Sequence, residues 1–203
     1  MSDFEVSAQT RTETGKGPVR RLRSRGLVPG IIYGAGRDPE NISVQGNSLR
    51  KQLESEAFFS HILTVRVGGA STQAVLKDMQ RDPGSYEVTH VDFLRVKATE
   101  QITMRVPLHF VNEETCPGAR AGGLVNSLMT ELEISCLPRD LPEFIDVDLA
   151  SLEIGDSVHM SELVLPEGVT LASAIEDADH DQTVVAIQQA DDLEVEPEEE
   201  GEE

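Results

Sequence analysis

Residues 3–9 place Phe4, Val6 and Ala8 on one face and Glu5, Ser7 and Gln9 on the other. That period of two predicts a half-buried strand. Pro18 then stands at a first helical position, and Gly26 closes a short helix. On that helix Val19 and Leu22 share one side, while Arg20, Arg21 and Arg25 occupy the opposite arc. Further strands are predicted at 28–33, 41–45, 62–67, 73–79 and 87–97. Asn47-Ser48 can cap a helix running to about Glu56, with Leu49 and Leu53 at i, i+4 spacing. Many short strands, broken by Gly and Pro, with two small helices fit a closed β-barrel.

The pattern changes near residue 98. Ile102, Met104, Val106, Leu108 and Phe110 alternate along one long strand, interrupted on its polar face by Pro107. A proline there predicts an edge position or a bulge. Residues 112–123 read as a Gly-rich loop, 130–137, 143–149 and 183–188 as strands, and 150–165 as turns with a short apolar piece. The expected fold class is therefore mainly β: a closed antiparallel barrel over 1–97 and a second mostly-β domain over 98–190. The stretch 191–203 holds nine acidic residues in thirteen and no aromatic, so a disordered acidic tail is expected.

Charge sharpens this division. The 203 residues carry 17 Lys+Arg and 37 Asp+Glu, a net of −20, which at first argues against nucleic acid as a partner. Residues 1–97, however, hold 14 basic and 11 acidic side chains, a net of +3. Residues 98–203 hold 3 and 26, a net of −23. The acidity belongs to the second half, and such asymmetry suggests two domains with different jobs. Cys116 and Cys136 sit apart with no CxxC and no His at ligand spacing. They read as free buried thiols in a reducing compartment, with a disulfide between them the alternative, and not as a metal site. The N-terminus lacks the apolar core of a signal peptide, and no apolar run approaches the roughly 20 residues needed to cross a bilayer. A soluble cytoplasmic protein is expected.

Catalytic motifs do not assemble. Gly15-Lys16-Gly17 resembles part of a phosphate-binding loop, but Thr10 stands where the first Gly belongs and Gly17 where Ser or Thr does. His90 and Asp92 share a strand face, yet no matched nucleophile accompanies them. No catalytic residue, cofactor, metal or small-molecule substrate is implied. Nucleic acid fits better. Six basic residues and one acid, Glu13, lie between Arg11 and Arg25. A net of +5 inside an acidic protein is an electrostatic footprint. Gly15 and Gly17 allow close approach to a phosphate, and arginine forks suit phosphate and guanine. Tyr33, one of two tyrosines, can stack on a base or equally fill the barrel core.

These residues resemble a known family. Arg11, Gly15-Lys16-Gly17 and Arg20-Arg21-Leu22-Arg23, followed by Val28-Pro29-Gly30-Ile31-Ile32-Tyr33-Gly34, resemble the bacterial ribosomal protein twenty-five of the large subunit. Lys77-Asp78-Met79-Gln80-Arg81-Asp82-Pro83 and His90-Val91-Asp92-Phe93-Leu94-Arg95-Val96 carry a second signature. Ala121-Gly122-Gly123-Leu124, Cys136-Leu137-Pro138-Arg139-Asp140-Leu141-Pro142 and Leu165-Pro166-Glu167-Gly168-Val169 resemble the longer general stress protein CTC branch. The resemblance spans roughly residues 3–188.

The resemblance implies a first domain similar to an anticodon-binding domain of glutaminyl-tRNA synthetase, docked on the minor-groove side of loop E of 5S rRNA. Carried over by motif, the RNA-binding residues are Arg11, Lys16, Arg20, Arg21, Tyr33, Gln80, His90 and Asp92. Arg and Lys would hold phosphates; the other four would read ribose hydroxyls and base edges. Pro18-Val19 stands where many relatives have small residues, and Asp82 where His is common, so no contact is carried to either. The implied role is non-catalytic: a structural component of the large ribosomal subunit that binds 5S rRNA, its second domain meeting neighbouring large-subunit proteins. The alternative is a stress-linked acidic binding protein acting off the ribosome.

Overall fold

The computed structural model describes residues 4–172 and 181–189; the expected tail over 191–203 lies outside them. The first half follows the predicted order. Strand β1 (Glu5–Thr10) is followed by α1 (Lys16–Ser24), β2 (Leu27–Gly34) and β3 (Arg37–Gln45). Next come α2 (Gly46–Gln52), α3 (Ala57–Ser60), β4 (Leu63–Val67), β5 (Ala70–Arg81) and β6 (Val88–Arg95). The six strands close into a barrel in the order β1-β3-β2-β6-β5-β4. Four seams are antiparallel, but β1 pairs β4 and β2 pairs β6 in parallel. Parallel neighbours need long crossovers, which the α1 and α2–α3 segments help to span.

Alternation decides which side chains enter. On β1, Val6 and Ala8 are buried while Glu5, Ser7 and Gln9 are exposed. Phe58, Phe93, Leu63 and Val65 are fully enclosed with Ile32 and Ile42. Burial of such a side chain stabilises the fold by about 1.5–3 kcal/mol. The helix expected to run to Glu56 ends at Gln52, and α3 starts separately. Leu49 and Phe58 both reach the core at 0% exposure. Nine residues are about two and a half turns, so one continuous helix would point them in opposite directions; the break lets both turn inward. Gly30 is required by the β2–β6 seam, because a Cβ there would lie 2.7 Å from the Val91 carbonyl oxygen. Arg95, almost fully buried, clamps the β2–β3 hairpin to β6 through the Asp38 carbonyl and the Glu40 carboxylate.

The remaining strands are β7 (Ile102–Val111), β8 (Gly123–Ser127), β9 (Glu131–Cys136), β10 (Ile145–Asp148), β11 (Ser157–His159), β12 (Val169–Leu171) and β13 (Thr183–Gln189). A one-turn helix, α4 (Pro117–Arg120), lies in the predicted Gly-rich loop. The sheets are ordered β10-β7-β9-β12 and β11-β13-β8. β8, β11 and β12 were not predicted: 123–127 adjoins the expected loop, 157–159 lies in the expected turns, and 169–171 carries no strand expectation. Pro107 falls one residue before Leu108, where pairing with β10 begins, so that flank of the strand is spared the missing N–H. By contact, and among the described residues, one compact unit comprises residues 4–107, 132–144 and 165–172; the other comprises residues 108–131, 145–164 and 181–189. Cys116 and Cys136 are buried and free.

Candidate nucleic-acid interface

Outward positions of three adjacent strands form the first part of the interface. On β6, Val91 and Phe93 point into the core, so His90, Asp92 and Leu94 face out. The register sets Gln80 opposite His90 on one side, and Ile31 beside Asp92 and Tyr33 beside Leu94 on the other. Tyr33, Gln80, His90 and Asp92 are thereby brought onto one face of β2-β6-β5. His90 Nδ1 and Asp92 Oδ1 are 2.7 Å apart, both half-buried. Tyr33 is half-buried, and its phenol is raised above its ordinary pKa by burial, then by the charges of Asp92 and Asp78. It therefore stays a neutral donor at physiological pH.

Asp78 also belongs to this face, and the sequence reading missed it. A register shift between Leu76 and Asp78 sets Asp78 directly across from Asp92. Opposed like charges disfavour the unliganded sheet. The only sequence signal was its place inside the Lys77–Pro83 motif. Lys77 itself turns away, donating Nζ to the Thr103 carbonyl at 2.7 Å.

The second part is the loop after β1 with α1. Arg11, Thr14, Gly15, Lys16, Val19, Arg20, Arg23 and Asn41 line an open groove of about 520 Å³. Gly15 caps α1 with φ 97°, a left-handed conformation that glycine adopts without strain, and no side chain caps the helix. The backbone amides of Lys16 and Gly17 are therefore available to an anion, while Pro18 has none and Val19 donates to the Gly15 carbonyl. Lys16 and Arg20 are exposed, and among the described residues neither side chain makes an ion pair or a hydrogen bond. Arg21 lies 3.5 Å from Glu13, an exposed pair worth at most about 1 kcal/mol.

Two arginines serve the protein itself. Arg11 donates to the carbonyls of Ile42, Glu13 and Gly30 and to Asn41 Oδ1, at 3.1–3.5 Å. Four of its five N–H groups are thus assigned, and it shapes the groove wall. Arg23 donates both Nε and Nη2 to the Thr89 carbonyl, at 3.1 and 2.7 Å. That bond pins α1 beside the start of β6, one residue before His90. With it, basic helix and polar strand face become neighbours.

Residues 6–93 match the Ribosomal L25p family, and residues 101–191 match the ribosomal protein TL5 C-terminal domain. A large ribosomal subunit protein bL25 of Saccharophagus degradans is 50% identical over 187 residues, covering 91% of this chain and 89% of the relative. The bL25 of Alcanivorax borkumensis is 50% identical over 190 residues, covering 93% and 89%. That of Alkalilimnicola ehrlichii is 45% identical over 185 residues, covering 91% and 86%. The chain belongs to the bL25 family.

It is of that family's long type, since the match continues through the TL5-like second half. The names of these bL25 relatives are those of ribosomal proteins, not enzymes, and they give no support to an off-ribosome role. His90 and Asp92, the pair that could have suggested an enzyme, stand on an outward strand face. Asp82, where the resemblance expects His, accepts from the backbone N–H of Ser85 and Gly84 and from the Ser85 hydroxyl. Those bonds, led by the Ser85 amide, hold its carboxyl below the usual carboxylate range. In this bL25 chain that position builds the β5–β6 loop. Among the described residues no three His, Cys, Asp or Glu side chains group as a metal site, and no helix is long and apolar enough to cross a membrane.

Proposed function

We propose that this chain is a structural component of the large ribosomal subunit and grips 5S rRNA through the outer face of β2-β6-β5 and the flank of α1. The supporting observation is the convergence of Tyr33, Gln80, His90 and Asp92 on one sheet face, with Lys16 and Arg20 unpaired beside it. The two parts divide the labour. Lys16, Arg20 and Arg21, with the uncapped start of α1, hold phosphates and fix register without reading sequence. The strand face supplies direction: Asp92 accepts from a ribose 2′-OH or a base amino group, His90 orients that carboxylate, and Gln80 can donate and accept. Donors on the RNA would also relieve the opposition of Asp78 and Asp92. Arg11 acts by positioning, through the groove wall that it braces.

The test is hydroxyl-radical footprinting of 5S rRNA with the full chain, beside an unrelated RNA hairpin of equal length. A discrete footprint on 5S rRNA, weakened by Arg20→Ala and by Tyr33→Ala, is expected. Equal affinity for both RNAs with no footprint would reduce the interface to a sequence-blind basic patch.

A further inference from the structure

The three-stranded sheet β11-β13-β8 ends in two edges of different character. β11 is three residues long, and its register with β13 shifts between Val158 and His159. A bulge of that kind blunts an edge against further pairing. β8 keeps an unbroken register with β13 over five residues, Gly123 to Ser127. Among the described residues no strand pairs with its other side. Its sequence, GLVNS, contains no Lys, Pro or charge, the devices that keep an edge from acting as a template. Leu124 is 49% exposed and Leu128, just past the strand, 57%. Leu128 is held to β13 by its N–H on the Val184 carbonyl, so both leucines stand exposed along the β8 edge.

Charge says what would pair there. Within Leu108–Glu131, Ile145–Val164 and residues 181–189, nine Asp/Glu stand against one arginine, Arg120, a net of −8. Arg120 is itself turned to the Glu114 carbonyl. An RNA strand would be repelled. We propose that the free edge of β8 binds an extended Lys/Arg-rich protein segment by strand addition. Backbone hydrogen bonds would complete the sheet, alternate apolar side chains would cover Leu124 and Leu128, and the basic ones would face the acidic surround. The inference stands on this unit alone and not on the RNA reading.

The probe is an acetylated octapeptide alternating Lys and Val, added to the full chain, with a Glu–Val octapeptide as control. Amide exchange of residues 123–128 is read by mass spectrometry. The Lys–Val peptide should slow exchange of the outward amides by about tenfold or more, and the Glu–Val peptide should not. Leu124→Lys with Leu128→Lys should abolish the protection while leaving the thermal midpoint and 5S rRNA affinity unchanged, since both positions are exposed. Peptide binding without protection at β8 would make the unit a diffuse cation sink and overturn the proposal. So would equal protection by the Glu–Val peptide, or self-association in sedimentation that protects β8 with no peptide present.

Discussion

Asp92 Oδ1 sits 2.7 Å from His90 Nδ1 and directly across the sheet from Asp78, so one carboxylate meets both an orienting ring and an opposing charge. Asp92→Asn keeps the shape, removes the directional acceptor and relieves the opposition. Its expected outcome is loss of discrimination between 5S rRNA and other RNA, with the salt dependence of binding unchanged. Competition binding across a salt series checks both halves. A steeper fall of affinity with salt would mean that the residue acts through charge alone.

Arg20 and Arg23 lie three residues apart on α1 and should fail differently. Arg20→Ala should cost about 1–3 kcal/mol of RNA affinity and lower the log–log salt slope by about one. Its stability should stay within about 0.5 kcal/mol of the parent. Arg23→Ala removes the bond to the Thr89 carbonyl, so it should destabilise α1 by about 0.5–1.5 kcal/mol. Amide exchange on α1 and salt-dependent binding separate the two.

Gly30→Ala tests the parallel seam. The added methyl would meet the Val91 carbonyl oxygen at 2.7 Å and the Val91 side chain at 2.8 Å, and backbone cannot swing aside as a flexible side chain can. A loss of about 1–3 kcal/mol is expected in urea denaturation. RNA affinity should fall with it, because Tyr33 and His90 are held in register across that seam.

Asp82 makes the β5–β6 loop sensitive to acid. Its carboxyl is held below the usual range by the Ser85 and Gly84 amides. The stabilisation is therefore fully present above the ordinary carboxylate range and is lost as pH falls through the lowered value. Amide exchange, corrected for its intrinsic pH dependence, should show Gly84 and Ser85 losing protection at that acid limb. Asp82→Ala should lack protection at every pH.

The sequence by itself determined the barrel strands, since Val6, Ala8, Val91 and Phe93 alternate with polar neighbours and the period of two survives any tertiary context. It also determined the basic flank of α1, because charge and helical spacing are local properties. Only the tertiary structure decided what those residues touch. Register across β5 and β6 brought Asp78 to Asp92, and no local pattern encodes register. The folded chain engaged Arg11 and Arg23 with distant carbonyls of Ile42 and Thr89 and left Lys16 and Arg20 open, although all four look alike in sequence. The break between α2 and α3 likewise follows from burying Leu49 and Phe58 in one core. β8, β11 and β12 escaped the pattern because strands of three to five residues take their conformation from the ladder they join.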